Sequence, residues 1–87
     1  MKFRSVPGVI LTSICDEYYL IKSSRRIQIN ESAAFIWNLL SDGISEDDLV
    51  KQVINQYEVP DEKSLISDIH DLISLLEDYH MIMKCGA

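Results

Sequence analysis

Basic residues are scarce in this chain. Eight Lys and Arg stand against fourteen Asp and Glu, for a net charge of -6. A nucleic-acid binder needs clustered cations to replace phosphate counterions, so that class is disfavoured, and an anionic membrane surface with it. Apolar runs are short, and none approaches the roughly 18 residues of a membrane span. The stretch Met1–Gly8 has no apolar centre like that of a signal peptide. The expected compartment is therefore the cytoplasm. Cysteine is limited to Cys15 and Cys85, two isolated thiols that a cytosolic chain keeps free. Together with His70 and His80 they show no Cys-x-x-Cys or His-x-x-x-His spacing, so no metal site is expected. A Gly-rich phosphate loop and a nucleophile–base pair are also missing. Neither an enzyme nor a cofactor is expected. No linker, repeat or low-complexity segment divides the 87 residues, so residues 1–87 read as one domain. A domain of that size buries only about 60–65% of the surface its unfolded chain exposes. A surface groove suits it better than a deep enclosed site.

The most telling stretch that is present runs from Ile27 to Leu40. Ile27 and Ile29 point one way and Gln28 the other, as a half-buried strand requires. Asn30 then caps a helix by accepting a hydrogen bond from an otherwise orphan backbone N–H. Ala33, Ile36, Trp37 and Leu40 follow at helical spacing and make one apolar stripe. Trp37 on that stripe reads as core.

The remaining elements read off in order. Met1 to Val6 is a short arm ended by a Pro7-Gly8 turn. Val9–Ile14, Tyr18–Lys22 and Arg25–Ile29 are three strands with tight connections, an antiparallel meander. A first helix covers Glu31 to Ser41, with Gly43 placed to end it. Ser45 caps a second helix whose first turn holds Glu46, Asp47 and Asp48, and Val59-Pro60 breaks it. Asp61 caps a third and longest helix that ends near Asp78 or Tyr79. Met81–Met83 is a candidate final strand.

The third helix has a wide apolar arc. Leu65, Ile69, Leu72, Leu76 and Tyr79 share one face; Ile66, His70, Ile73 and Glu77 share its neighbour. Either the first set meets the core and the second borders a groove, or both sets are core. The groove reading makes Leu72 a core residue and Ile73 a groove residue. Arg25 and Arg26 admit two roles of their own: protecting an edge strand from aggregation, or pairing with carboxylates of a ligand. Asp61, Glu62, Asp68 and Asp71 read as a solvated helix face with some reach to basic groups of a ligand.

The run at Ile29 to Leu40 (Ile-Asn-Glu-Ser-Ala-Ala-Phe-Ile-Trp-Asn-Leu-Leu) is followed by Asp42-Gly43, Ser45 to Val50 and Tyr57-Glu58-Val59. Asp68-Ile69 then opens a Leu-rich third helix. In this order the chain resembles the PqqD-like family, over about residues 6 to 83. These are the leader-peptide recognition domains of ribosomally made, post-translationally modified peptides. The resemblance implies an α+β, winged-helix-like fold: a three-stranded antiparallel meander followed by three helices. It also implies a non-enzymatic module that binds a precursor's leader as an added strand and presents it to a separate leader protease, cyclase or other modifying enzyme. A free-standing chain looks most like the leader-binding proteins of lasso-peptide pathways. A peptide chaperone for a radical-SAM enzyme, as in pyrroloquinoline quinone assembly, is the alternative, and a winged-helix DNA-binding regulator a more distant one. Carried over, the binding edge is Arg25, Arg26, Ile27, Gln28, Ile29 and Asn30, and the helix wall is Ile66, Ile69, His70 and Ile73. One departure stands out. The family carries Gly just after the third helix, where this chain has His80, so His80 is the expected left-handed residue.

Overall fold

The computed structural model describes residues 1–85. It is an α+β fold in which two three-stranded antiparallel sheets frame three helices. The first sheet is the expected meander: β2 (Ile10–Ile14), β3 (Glu17–Lys22) and β4 (Arg25–Ile29), in that order. Its hairpins close through two residues each. Cys15 and Asp16 carry φ 52° and 66°, the doubly left-handed pair that matches the right-handed twist of the flanking strands.

The second sheet was not foreseen. β1 (Lys2–Ser5) lies between β5 (Ile44–Ser45) and β6 (Ile82–Cys85). The N-terminal segment read as an arm is thus the central strand of a sheet. Lys2 pairs with Cys85 and Phe3 with Lys84, contacts between opposite ends of the chain that no local pattern announces. The last strand begins at Ile82 rather than Met81 for the same reason, since β1 sets its register.

The helices follow their caps. Asn30 Oδ1 accepts the amide of Ala33 at 2.8 Å and starts α1 (Glu31–Leu39), which tightens into a 3-10 turn at Leu40–Asp42. Ser45 Oγ accepts the amide of Asp48 at the head of α2 (Glu46–Gln56). Asp61 accepts the amides of Lys63 and Ser64 at the head of α3 (Glu62–Asp78). The Ser64 hydroxyl first, then the same two amides, hold the Asp61 carboxyl below its ordinary range. At the far end His80 takes φ 58°. Its amide donates to the Glu77 carbonyl and that of Met81 to the Leu76 carbonyl, both at 2.9 Å. That is the two-bond helix stop usually built on glycine. His80 fills the left-handed position, as expected from the absent Gly.

The core gathers Leu20, Ile29, Ile36, Trp37, Leu40, Leu49, Val53 and Met81 around Ile69, Ile73 and Leu76 of α3. Trp37 lies inside it, as its stripe implied. Ile73 is only 1% exposed, whereas Leu72 is half-buried at the margin. The expected division of α3 is therefore reversed at these two positions. The buried centre of the helix runs through Ile69, Ile73 and Leu76, successive neighbours at spacings of four and three, and Leu72 falls on its flank.

This placement sets an order of stabilities. Ile73→Ala should cost about 2–5 kcal/mol, because a fully buried side chain leaves a cavity as well as losing its transfer energy. Leu72→Ala should cost less, about 1 kcal/mol, since its side chain already meets water. Urea melts of both variants check it; a Leu72 loss as large as that of Ile73 would contradict this packing.

Candidate functional site

β4 has a neighbour on one side only among the described residues. Its other edge is open, and the hairpin that precedes it decides which groups that edge presents. Ser23 and Ser24 close the turn, with Ser23 at φ 54° in the position a primed turn reserves for a left-handed residue. A two-residue hairpin loop is closed by a hydrogen-bonded pair, here Lys22 and Arg25. Bonded and non-bonded pairs then alternate along the ladder. Ile27 opposite Leu20 and Ile29 opposite Tyr18 therefore bond inward to β3. Arg26 and Gln28 direct their amides and carbonyls outward, away from the sheet.

Side chains alternate independently of this. Arg25, Ile27 and Ile29 share the face that meets the core, where Ile29 is buried and Ile27 half-buried. Arg26 and Gln28 project from the opposite face, where the Arg26 guanidinium lies 5.3 Å from the Tyr19 ring centroid.

Helix α3 runs beside the open edge, antiparallel to it. At the hairpin end Lys22 Nζ donates to the His80 carbonyl at 2.6 Å, and the Arg25 guanidinium lies 5.9 Å from the Tyr79 ring centroid. At the other end Asn30 and Ala33 share a pocket with Leu65, Asp68 and Leu72. The lengths agree: five strand residues span roughly 16 Å, and the helix between Asp68 and Tyr79 rises about the same. The wall facing the edge is therefore the flank carrying Asp68, Leu72, Leu75 and Tyr79. Leu75 is 43% exposed there, a large apolar side chain open to solvent. Past Asn30 the trough continues into an apolar hollow lined by Val53, Tyr57, Val59, Pro60 and Leu65.

The sequence-derived residues fall into three groups. Arg25 to Asn30 all lie along β4 and its exit, the open edge itself. Ile69 belongs to the core but reaches the pocket beside Asn30. Ile66, His70 and Ile73 do not form the trough wall, which corrects their expected place. Ile73 is interior. Ile66 and His70 lie on the opposite flank, where His70 Nδ1 sits 3.4 Å from Glu46 Oε2 at the head of α2. A helix has two flanks beside its buried centre, and the expectation chose the wrong one. The overlooked residues are Leu72, Leu75 and Tyr79, which share this flank with Asp68, already read as a solvated residue with some reach to a ligand. Their three- and four-residue spacing was the available signal; Leu75 was the apolar residue that neither expected face accommodated.

Residues 14–82 match the family described as coenzyme PQQ synthesis protein D (PqqD). Two solved structures are similar over nearly their whole length. One is described as lasso peptide synthetase B1 complexed with the leader peptide. It is 27% identical, with a TM-score of 0.75, covering 94% of this chain and 98% of that one. The other is TbiB1 in complex with the TbiA(beta) leader peptide. It is 20% identical, with a TM-score of 0.76, covering 97% and 99%, and at that identity it speaks for the fold alone. No curated protein sequence matches the chain.

The alternation along β4 has a direct consequence for folding. Gln28→Pro removes an amide that bonds to nothing within the chain, so its thermal midpoint should stay within a few degrees of the parent. Ile27→Pro removes an amide of the β3–β4 ladder and strands a Leu20 carbonyl, at a cost of about 2 kcal/mol or more. Calorimetry on both variants checks the assignment. Equal losses would mean that the bonded and open rows are exchanged.

Proposed function

The chain belongs to the PqqD family, and we propose that it captures the leader segment of a ribosomally made precursor peptide as an extra strand on β4. The observation that carries this reading is the open row at Arg26 and Gln28 lying beside an exposed apolar helix flank. Main-chain bonds to that row supply affinity for any extended segment. The trough between Ile27 and the Leu72–Leu75–Tyr79 flank supplies selectivity through pockets for alternate side chains. Ile27, Ile29 and Arg25 contribute the floor of this trough, and Asn30 its exit.

The chemistry ends at binding on this reading. The protein is a peptide-binding module and not an enzyme. It orders a flexible leader so that the attached core peptide reaches a leader protease, cyclase or other modifying enzyme at raised effective concentration. Likeness to a leader-bound lasso peptide synthetase B1 over nearly the whole chain favours lasso-peptide assembly over the radical-SAM alternative. The net charge of -6 disfavours the DNA-binding alternative. Among the described residues no helix is long and apolar enough to cross a membrane, and a cytoplasmic site of action fits a module that meets newly made precursors.

The test uses the precursor encoded beside this chain's gene, cut into fluorescein-labelled leader and core peptides. Fluorescence anisotropy should show saturable binding of the leader and none of the core. Gln28→Pro should weaken leader binding tenfold or more, equivalent to about 1.4 kcal/mol, while remaining folded. Equal binding of leader and core, or full affinity in folded Gln28→Pro, would overturn strand addition at β4.

A further inference from the structure

The open edge carries opposite charge at its two ends. At the hairpin end stand Lys22, Arg25 and Arg26. Lys22 is spent on a backbone carbonyl, and the two arginines lie over tyrosine rings. None of the three has an acidic partner among the described residues, where the ion pairs are Lys51–Asp48 and His70–Glu46. At the Asn30 end the signs invert. Asp68 sits at the rim shared by the pocket beside Asn30 and the apolar hollow beyond it. Glu58 lines that hollow. Glu31, with Asp16 and Glu17, flanks the end of the strand on its other side. These acids likewise have no basic partner among the described residues.

Four residue steps from Arg25 to Ile29 separate the two ends by roughly 13 Å, about one and a half times the screening length at physiological salt. Each end therefore acts on its own stretch of ligand, and the two do not cancel. Random solvation of an edge would scatter both signs along it. Here the signs are sorted, and sorted along the direction in which an added strand must lie.

Resting on the strand-addition reading, we propose that β4 and its trough select leader segments of the opposite polarity. The segment places an acidic side chain beside Arg25 and a basic one beside Asp68, about four positions apart. Even spacing puts both on the trough-facing side of an extended peptide. Charge then fixes which way along the edge the leader lies, a choice that main-chain bonds leave open. Arg25 and Asp68 are the specificity-determining pair.

The experiment pans a random library of 12-residue peptides displayed on phage against the full chain at about 50 mM salt, with the folded Gln28→Pro variant as counter-screen. Edge-dependent binders should carry an acid and a base of fixed order, about four positions apart. Labelled copies of one such peptide should lose roughly fivefold in affinity to Asp68→Lys and to Arg25→Glu, and less at 500 mM salt. Exchanging the peptide's own acid and base should restore binding to the double variant Arg25→Glu/Asp68→Lys. Edge-dependent binders without charge order, or without rescue by exchange, would overturn charge selection and leave strand addition standing. A library with no binder that distinguishes the parent from Gln28→Pro would fail strand addition itself and the inference with it.

Discussion

A backbone amide that faces away from its own sheet must find water or another chain. In this fold β2 and β4 both meet that demand as the edges of the meander, and β4 is the edge that α3 flanks. The strand cannot leave the sheet, because Ile29 and Leu20 bury its inner face and two tight hairpins fix its register. It has no second neighbour among the described residues, because the chain turns into α1 immediately after Ile29. Arg26 and Gln28 are left with outward groups that water satisfies in the free protein. Arginines at an edge blunt its pairing with copies of itself. The same arginines leave the edge open to an extended peptide of suitable charge.

Helix α3 turns that edge into a trough. Asp61 fixes where the helix begins, and His80 with Met81 fixes where it ends. The Lys22 bond to the His80 carbonyl ties the hairpin tip to the same end. Edge and wall are thus tied together at one end and share the lining of a pocket at the other. The interior residues Ile69, Ile73 and Leu76 orient the helix so that Leu72, Leu75 and Tyr79 face outward along the strand. The packed core and the wall of the trough are two faces of one helix.

The features legible in the sequence are those with local causes. Asn30, Ser45 and Asp61 cap helices through bonds to residues two or three positions on. The meander follows from alternation and short polar turns, although Glu17, read as part of the first turn, opens β3; the left-handed His80 follows from the missing glycine. The features that escaped have distant causes. β1 is only four residues long, and its central role comes from pairing with Ile82–Cys85 at the other end of the chain. On α3 the periodicity gave the width of the apolar arc but not what packs on either side. Ile73 and Leu72 are both large and apolar, and tertiary packing alone sends one inward and the other to the rim. Ile66 and His70 were placed in the trough for the same reason; His70 lies toward Glu46 instead, and Ile66 is exposed one turn before it on the same flank.

Strand addition makes a residue-by-residue statement that backbone amides can answer. In hydrogen-exchange NMR of the free protein, Ile27 and Ile29 should be protected by the β3 ladder while Arg26 and Gln28 exchange fast. Saturation with the leader peptide should slow exchange at Arg26 and Gln28 selectively. If their exchange is unchanged while the leader is bound, the ligand lies elsewhere and β4 is not the docking edge.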